Sequence, residues 1–427
     1  MLAFLLAAPV SHGAIIGTNT PAQEITDASI ATLPAAQQRA WKQYLIRSQH
    51  QMRADQDFLH REMKQLNLPA AVLPPSGNSA RSIPIDRDPA WYGSSNAQFL
   101  ADNIVSFQTP AGGWSKNLNF TRHPRARGEH FAPNNLNRFS NPADFDLPHD
   151  TNWDYVGTID NDATTTEMYF LARTAARGSP KQAKKWRKSF LRGVDYLLAA
   201  QFPNGGWPQV WPLQGGYHDA ITFNDDAMLN VMELLRDVSR GENEFAFVPA
   251  RTRRRAAASL ERGIQCTLAA QIVANGRPTV WCQQYNALDL TPAAARNYEM
   301  PSAASSESAS IIEFFMSLPK PSPAIIASVD GAAAWFKKTA IYDVAYRSST
   351  NGGRVLESAP GAGPIWPRFA EIGTDRPIFG DRDKTIHDNL SEISVERQRG
   401  YGWYNGAPKA VLDRYATWRP GLGVAGP

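Results

Sequence analysis

Two carboxylates and an amide stand together at the start of a predicted helix. Asp160, Asn161 and Asp162 open the segment 162–176, in which apolar residues recur with the i, i+3, i+4, i+7 spacing of an amphipathic helix. Asp and Asn are common helix caps, because their oxygens accept hydrogen bonds from free backbone N–H groups. One acidic residue is enough for a cap, and Thr164 with Glu167 already has the spacing of a capping box. The second aspartate therefore suggests a bound cation.

The same composition returns before the predicted helix 225–239. Asn224, Asp225 and Asp226 precede its apolar stripe, so two helices each begin with an asparagine beside two aspartates. Oxygen ligands from separate loops, without His or Cys, are what a hard cation such as Ca²⁺ prefers. Two doubly capped helices would explain the same residues, and both interpretations stay open on this pattern alone.

Arginines form the other candidate cluster. Arg296 lies in a Pro-bounded loop ahead of the predicted helix 302–317, and Arg368 and Arg382 lie in "PIWPRFAEIGTDRPIFGDRD". Loop arginines of this kind suit bidentate binding of carboxylates. The alternative is surface salt bridging with nearby acidic residues, namely Glu371, Asp375, Asp381 and Asp383.

Three segments share a frame that indicates stacked helix pairs. Gln108 stands six residues before Trp114, and Gln201 six before Trp207, while Gln271 is followed by a similar turn with Arg277 in place of tryptophan. Internal similarity at a long period is typical of repeated supersecondary units. We therefore predict a mainly α fold, an (α/α) toroid of repeated helix pairs with short β-hairpins and long irregular loops. The glutamines and tryptophans are expected to join adjacent helix pairs. The predicted helices cover residues 35–66, 93–108, 162–176, 180–201, 225–239, 252–271, 302–317 and 387–399.

Length and composition describe a globular chain with a basic balance. The 427 residues can bury a large core, and the net charge of +4 suits a polyanionic partner. Twelve tryptophans could line a carbohydrate cleft or pack in the core. No nucleic-acid type of basic run is present, and "RTRRR" at residues 251–255 is interpreted as a solvated helix start. We expect neither a nucleic acid nor a membrane as partner.

The first 14 residues resemble the apolar part and cleavage site of a secretory signal. We expect a secreted or periplasmic protein with a linker at 15–34, a catalytic domain at 35–418 and a tail at 419–427. Cys266 and Cys282 could pair in an oxidising compartment or remain two buried free thiols. The insert 122–150 could cover a cleft or be a tethered surface loop.

Six segments, in order over about residues 40–415, resemble the signatures of polysaccharide lyase family 10, the pectate lyases. They are "WYGSSNAQFLADNIVSFQTPAGGWSKN", "TIDNDATTTEMYFLAR", "NGGWPQVWPLQGGYHDAITFNDDAM", "VWCQQYNALDLTPAAARNYEMPS", "PIWPRFAEIGTDRPIFGDRD" and "GYGWYNGAPKAVLDRY". The resemblance implies a helical toroid that cleaves polygalacturonate, the acidic chain of pectin, by Ca²⁺-assisted β-elimination. It also implies endo action, and we expect a monomer.

Matched motif by motif, the resemblance assigns candidate roles to individual residues. Arg296 corresponds to the catalytic arginine, which would take the proton from C5, and Asp160 to an acidic calcium ligand. Asp225 or Asp226 supplies a second ligand, a choice that the sequence leaves open. Arg368 and Arg382 correspond to arginines that hold substrate carboxylates, and Asn161 and Lys116 are further substrate-contact candidates. Asp162 is expected to be the helix cap.

An arginine base raises a difficulty of its own. A free guanidinium is protonated at neutral pH, so we expect Ca²⁺ and neighbouring arginines to lower its pKa and the activity to have an alkaline optimum. The competing hypotheses are an inverting glycoside hydrolase that uses two of Asp160, Asp225 and Asp226, and a catalytically silent pectin-binding protein. A triterpene cyclase fits poorly, because a "DxDD" run is absent.

Overall fold

The structure is a computed structural model that describes residues 15–77, 80–133, 144–145, 156–350 and 352–423. The predicted signal peptide at 1–14 lies outside the described residues, as do residues 424–427 of the tail and much of the insert 122–150. No helix in the described ranges combines the length and the apolar composition that crossing a bilayer requires.

The described residues form a mainly helical fold, as predicted. Seven of the eight predicted helices are present with shifts of a few residues at their ends. The eighth, 387–399, was wrong, because this segment is a strand, a 3₁₀ turn and one short helix. The α-helices are α1 Asp27–Ala31, α2 Ala35–Gln65, α3 Ser95–Ser106, α4 Thr165–Ala175, α5 Pro180–Ala200, α6 Ala227–Arg240, α7 Ala250–Ala269, α8 Ser305–Ser317, α9 Pro323–Thr339, α10 Val395–Gly400 and α11 Ala407–Gly421.

The strands are short and mostly pair in twos. We call α4, α6 and α8 the inner helices and α5, α7 and α9 the outer helices. The strand before each inner helix pairs antiparallel with the strand that follows the next outer helix: β2 (Gly157–Thr158) with β3 (Val210–Trp211), β4 (Ile221–Thr222) with β7 (Gln284–Tyr285), and β8 (Ala303–Ala304) with β12 (Phe369–Ala370). The strands are β1 Ile15–Thr18, β2 Gly157–Thr158, β3 Val210–Trp211, β4 Ile221–Thr222, β5 Val273–Ala274, β6 Arg277–Pro278, β7 Gln284–Tyr285, β8 Ala303–Ala304, β9 Val344–Ser348, β10 Arg354–Ser358, β11 Trp366–Pro367, β12 Phe369–Ala370, β13 Phe379–Gly380, β14 Thr385–His387 and β15 Tyr404–Asn405. The pairing brings the N-terminal ends of α4, α6 and α8 to the same end of the molecule.

The glutamine of each repeated frame joins two helix pairs, as the sequence predicted. Its side-chain amide donates one hydrogen bond within its own turn and one to a carbonyl of the next outer helix. The acceptors are Gly112 and Ser189 for Gln108 (2.7 and 2.9 Å), Gly205 and Ser259 for Gln201 (both 2.9 Å), and Thr279 and Ser328 for Gln271 (2.8 and 2.9 Å). Ser189, Ser259 and Ser328 lie inside α5, α7 and α9, so each amide attaches its own turn to the side of the next outer helix.

A buried tryptophan closes each unit by donating its indole N–H to a carbonyl of the preceding helix. The pairs are Trp114 with Ile104 (2.6 Å), Trp207 with Leu197 (2.8 Å), Trp281 with Thr267 (2.7 Å) and Trp366 with Phe336 (2.8 Å). In the third unit the hairpin β5–β6 lengthens the turn, so the tryptophan follows at position 281 and Arg277 is not its counterpart. The fourth unit was missed, because the longer hairpin β9–β10 separates α9 from Trp366.

Core packing accounts for most of the tryptophans. Nine of the eleven tryptophans in the described ranges are buried, and those with no or almost no exposure include the four indoles that close the units. Cys266 and Cys282 are also buried, and both are free thiols. The proposed pairing was therefore wrong and the alternative of two buried thiols is confirmed. Burial raises the pKa of the Cys266 thiol to about 12, which makes it unreactive.

Residues 15–34, which were expected to be a linker, carry β1 and α1. Strand β1 pairs with β14, so this segment packs on the C-terminal part of the chain. Asn19 follows β1, and its side-chain amide donates to the backbone carbonyl of Asn297 (3.0 Å). The segment therefore reaches the loop that contains Arg296.

The first turn of α4 buries a carboxyl group. Glu167 is fully buried and has no ion-pair partner among the described residues. Thr164 has a positive φ and makes no capping contact, so the predicted capping box was wrong. Burial raises the pKa of Glu167 to about 8, which backbone N–H groups offset only in part.

Replacing Gln201 with leucine is expected to lower the free energy of unfolding by about 2–4 kcal/mol. The substitution removes the donor for the carbonyls of Gly205 and Ser259 and the acceptor for the Ser259 hydroxyl. Urea unfolding would measure the loss. Gln43→Leu, at an exposed position of α2, is the control and should change stability by less than about 0.5 kcal/mol. Equal effects of both substitutions would contradict the joining role of Gln201.

Glu167→Gln is expected to change how stability depends on pH. Below about pH 4.5 the carboxyl group is protonated in both states, whereas between about pH 4.5 and about 8 only the unfolded state releases the proton. Wild-type stability is thus lost as the pH rises through this window. Relative to wild type, the variant should gain on the order of 2–4 kcal/mol between pH 4 and pH 9. Denaturant titrations at both pH values measure this gain.

The exposed Glu261→Gln substitution on α7 is the matched control for Glu167→Gln. It shows how much the loss of a carboxyl group at the surface changes stability at each pH. A difference between wild type and Glu167→Gln that is the same at pH 4 and pH 9 would show that Glu167 ionises in the folded protein as it does in the unfolded chain.

Candidate active site

The first acidic turn, residues 160–162, connects β2 to α4. Asp160 is buried, with 4% of its surface exposed. Its Oδ2 atom forms an ion pair with the ammonium group of Lys116 and accepts a hydrogen bond from Asn161 Nδ2 (3.3 Å). The two predicted substrate contacts, Lys116 and Asn161, therefore both lie against the predicted calcium ligand. The Oδ1 atom of Asp160 is buried and has no hydrogen-bond partner among the described residues.

The charge of Asp160 is maintained despite its burial. Burial alone would raise the pKa of this carboxyl group, but Lys116 outweighs it, aided by Arg296, so the pKa lies below its usual value. Burial, Lys116 and Arg296 lower the pKa of the nearby His218 to about 3, so this imidazole is neutral. The structure thus brings Asp160, Lys116, His218 and Arg296 into one electrostatic environment, and the sequence pattern had not indicated His218.

The second acidic turn, residues 224–226, repeats the backbone of the first. Asn161 and Asp225 both adopt left-handed conformations (φ 52° and 51°), as do Asp162 and Asp226 (φ 63° and 56°). In this alignment of the two turns, Asp160 corresponds to Asn224. The two turns are therefore equivalent in conformation and different in charge at their first residue.

The two candidate calcium ligands of the second turn face different surroundings. Asp225 accepts a hydrogen bond from Asn224 (3.0 Å), and 36% of its side chain is exposed. Asp226 is half-buried beside Ser310 and Glu307. Burial and the Glu307 carboxylate together raise its pKa to about 6, against a hydrogen bond from Ser310.

Arg81 bridges the two acidic turns. Its Nε atom lies 2.7 Å from Asp162 Oδ2, and a terminal nitrogen lies 3.4 Å from Asp225 Oδ1. Asp162 also accepts a hydrogen bond from Asn230 of α6 (2.8 Å). The prediction that Asp162 caps α4 was wrong, because both of its carboxylate oxygens serve these contacts. Arg81 was missed, since nothing in the sequence connects residue 81 to turns so far along the chain.

Arg368 lies in a buried polar network at the second turn. It donates to Glu307 Oε1 (2.7 Å) and, more weakly, to Asn224 Oδ1 (3.4 Å). Burial lowers the pKa of this guanidinium, but Glu307 raises it more, so Arg368 stays charged. The suggested surface salt bridges do not describe Arg368, whose partner is a buried carboxylate of α8. They do describe Arg376, which pairs with Glu371 (3.0 Å).

Arg296 is held by a neighbouring carboxylate. Its Nε and a terminal nitrogen donate to the two carboxylate oxygens of Glu299 (2.8 and 2.5 Å). Burial would lower the pKa of Arg296, but Glu299 raises it well above the usual value. The surrounding protein side chains, without a bound cation, therefore raise the pKa of Arg296, contrary to the expectation that neighbouring arginines lower it. Glu299 also accepts a hydrogen bond from the Tyr401 hydroxyl (2.7 Å).

Two tyrosine rings connect the three predicted arginines. The guanidinium carbons of Arg296 and Arg368 lie 5.9 and 4.8 Å from the centre of the Tyr401 ring. Those of Arg296 and Arg382 lie 5.0 and 5.6 Å from the centre of the Tyr298 ring. Such distances allow cation–π attraction. The structure thus brings the three arginines together around these rings.

Arg382 and the insert border the Arg296 loop. Arg382 forms a bidentate ion pair with Glu396 (2.9 and 3.1 Å). Asn297 donates to Asp144 Oδ1 (2.8 Å) and accepts from the Phe145 backbone N–H (3.0 Å). Within the described part of the insert, these two residues therefore contact the loop that carries Arg296.

The arrangement can bind and polarise an acidic substrate. Buried Asp160 and exposed Asp225 present negative charge beside three arginines and a lysine. No group of three or more His, Cys, Asp or Glu side chains among the described residues forms a metal site. A cation here would thus need further oxygen ligands from backbone, water or substrate.

Comparison with known proteins relates the chain to a family and to solved structures. The family model described as "Pectic acid lyase" matches residues 108–412. The chain is similar to the family 10 polysaccharide lyase from Cellvibrio cellulosa, with 29% identity and a TM-score of 0.65 over 79% of this chain and 97% of that one. An aspartate-to-alanine mutant of the Cellvibrio enzyme in complex with trigalacturonic acid matches with 28% identity and a TM-score of 0.64, over 80% of this chain and 98% of that one. No curated protein matches the chain.

Proposed function

The chain belongs to the pectic acid lyase family, and from this premise we propose that it is a pectate lyase that cleaves polygalacturonate by calcium-assisted β-elimination, with Arg296 as the base. Membership of the family and similarity to family 10 polysaccharide lyases establish a polysaccharide lyase for pectate. The observation that carries the finer proposal is the convergence of Asp160, Arg296 and Arg368. The complex of the Cellvibrio mutant with trigalacturonic acid supports an oligogalacturonide as ligand.

The proposal extends to the organisation of the protein. The signal-like residues 1–14 support secretion, and the match over residues 108–412 supports a catalytic domain at 35–418. We propose that the protein is a monomer and an endo-lyase, which cleaves bonds in the interior of the pectin polymer.

The residues of the two acidic turns fit a hard cation. Asp160 offers a buried carboxylate oxygen without a hydrogen-bond partner in the described structure, and Asp225 offers an accessible carboxylate. We propose Asp225 over Asp226 as the second ligand, because burial and the nearby Glu307 raise the pKa of Asp226 and so disfavour the charged form that a cation needs. When bound, Ca²⁺ withdraws negative charge from the uronate carboxylate and so acidifies the C5 proton. Lys116 has the position to neutralise Asp160 when no cation does so.

Arg368 and Arg382 have the chemistry to orient substrate carboxylates. Each is already paired with a glutamate, Glu307 or Glu396. A guanidinium has five N–H donors, so a paired arginine can still donate to a second carboxylate. Donors fixed in this way before the substrate arrives stabilise charge that develops in the transition state.

β-Elimination removes a proton from C5 and expels the oxygen on C4, which must itself be protonated. Arg296 takes the C5 proton, the electron pair forms the C4–C5 double bond, and the C4–O bond breaks. The leaving oxygen takes up a proton from solvent, and the product carries a 4,5-unsaturated uronate at its new end. Because Glu299 holds Arg296 in the protonated state, the base form is scarce at neutral pH, and activity should rise towards alkaline pH.

The activity assay follows the ultraviolet absorbance of the unsaturated product with polygalacturonate at alkaline pH. We expect absorbance to increase with calcium, to stop on addition of EDTA and to recover with excess calcium. Hydrolysis breaks the same linkage without forming a double bond. Reducing ends that appear without absorbance, in the presence of EDTA, would identify a glycoside hydrolase and refute the lyase mechanism.

Two matched variants test the assignment of the calcium ligands. Asp225→Asn should raise the calcium concentration needed for half-maximal activity by about tenfold or more, whereas Asp226→Asn should change it little. Calcium binding by isothermal titration gives a readout that does not depend on turnover. The reverse order of the two effects would assign the ligand to Asp226.

Glu299→Gln is expected to shift the rise of kcat with pH towards lower pH by on the order of one unit. The substitution removes the negative charge that raises the pKa of Arg296, while the amide oxygen of the new side chain can still accept a hydrogen bond. Arg296→Ala should lower kcat by about 10²-fold or more at every pH. Full pH profiles of kcat for the three proteins measure both effects.

Glu396→Gln is the matched control for Glu299→Gln, because Glu396 pairs with Arg382 in the same bidentate manner. In Glu396→Gln, kcat should rise over the same alkaline pH range as in wild type. If Glu299→Gln also leaves the rise in place, Arg296 acts as a protonated donor and another group removes the C5 proton.

A further inference from the structure

A row of basic side chains lies on the outer helix α5. Lys181, Lys184, Lys185, Lys188 and Arg192 together line one open cavity of about 430 Å³. Their spacing places them on a single helix face that extends over about 16 Å. Here Lys185 pairs with Asp102 (3.1 Å), and Arg192 donates to the Gln108 side chain (3.2 Å).

The neighbouring outer helix α7 carries a second row at equivalent positions. The Gln108 amide donates to the Ser189 carbonyl of α5, and the Gln201 amide donates to the Ser259 carbonyl of α7. These equivalent bonds match Ser189 with Ser259, an offset of 70 residues between the two helices. The same offset relates the two basic rows. It pairs Lys181 with Arg251, Lys184 with Arg254, Lys185 with Arg255 and Arg192 with Arg262. We call these nine residues on α5 and α7, including Lys188, the basic face.

Most of this charge is not used within the chain. Lys181, Lys184, Lys188, Arg251 and Arg254 are exposed and form no ion pair with an acidic side chain in the described structure. Like charges at this spacing on a helix destabilise it by a few tenths of a kcal/mol per pair. No ion pair within the described structure therefore accounts for these charges.

The repeat also shows that the fold does not require basic residues here. Helix α9 is the next outer helix, joined to the preceding unit by the Gln271–Ser328 bond. By the offset that matches Ser259 with Ser328, Arg254, Arg255 and Arg262 correspond to Pro323, Ala324 and Gly331 of α9, and only Arg251 has a basic counterpart, Lys320, which precedes the helix. Two of three equivalent helices thus carry the basic rows, which indicates a role that belongs to this surface.

The basic face leads towards the active site. Arg192, at the end of the α5 row, donates to the backbone carbonyls of Thr109 and Pro110 (both 3.1 Å). The chain continues from this turn through Trp114 to Lys116, which contacts Asp160. A polymer bound along α5 would therefore approach the turn whose other end lies in the candidate active site.

We propose that the basic face is a second, non-catalytic binding surface for a long polyuronate chain. This inference rests on the proposed function, which supplies the acidic polymer. Lysine and arginine side chains attract the regularly spaced carboxylates, and a surface of one charge sign raises the local concentration of an oppositely charged polymer. The α5 and α7 rows offer no exposed aromatic side chain for base stacking, which favours a polysaccharide over single-stranded nucleic acid.

The test compares a basic-face variant with a control of equal charge change. Lys181→Gln, Lys184→Gln and Lys188→Gln are combined in one protein, and Lys42→Gln, Lys337→Gln and Lys409→Gln in the other. All six lysines are exposed, so both proteins should fold. Native gel electrophoresis with embedded polygalacturonate, in EDTA to stop turnover, measures binding to the polymer. Methyl-esterified pectin, which lacks the charges, serves as the neutral polymer.

The basic-face variant should bind polygalacturonate on the order of tenfold more weakly than the control variant, and the difference should disappear at high salt. Its kcat/KM should fall for the polymer and remain within about twofold of wild type for trigalacturonate, which is too short to reach both surfaces. Equal retardation of the two variants, or stronger retardation of wild type by duplex DNA than by polygalacturonate, would overturn the proposal. Absence of turnover on both substrates would refute the proposed function instead, while the gel still tests the surface.

Discussion

The candidate active site depends on how the short strands pair between neighbouring units. Each acidic turn begins where a two-residue strand ends, and that strand is held by the strand of the following unit. The glutamine and tryptophan bonds fix the distance between the helix pairs that carry these strands. Two residues of pairing could not position a side chain alone, because an isolated short hairpin is hardly stable. The buried indoles and amides give these strands a rigid support.

Charge compensation is the second constraint. Arg296, Arg368 and Arg382 each have a glutamate partner, and Asp160 has Lys116. Burying an unpaired charge costs several kcal/mol, so a site that gathers this many ions must pair them within the chain. Such pairing fixes orientation at the expense of reactivity. The Arg296–Glu299 pair shows this conflict clearly, since the bond that orients the guanidinium also keeps it protonated.

Local patterns predicted the helices and the repeat well. Seven helices were found from apolar periodicity, and Gln108 and Gln201 from their identical spacing to tryptophan. Helix α9 was missed although its N-terminal Ser322 and Pro323 carry a capping signal. The helix predicted over 387–399 was wrong, because the apolar residues of this segment belong successively to a strand, a 3₁₀ turn and a short helix.

The site was predictable as a set of residues and not as a set of contacts. Asp160, Arg296 and Arg368 stand in recognisable motifs, whereas Arg81 and Glu307 act through long-range pairing. The role of Asp162 depends on the distant Arg81 and Asn230, so its local resemblance to a helix cap was misleading. A left-handed turn that directs two aspartates to different neighbours cannot be inferred from their order alone.

The matched backbone of the two acidic turns makes the site an imperfect copy of itself. Asp160 and Asn224 occupy corresponding places, and they differ by one oxygen atom exchanged for an NH₂ group. That exchange breaks the local pseudo-symmetry and shifts the negative charge towards the first unit. An aspartate at position 224 would add one more acidic side chain for the site to neutralise. The chain has an amide there, which accepts from Gln283 and Arg368 without adding charge.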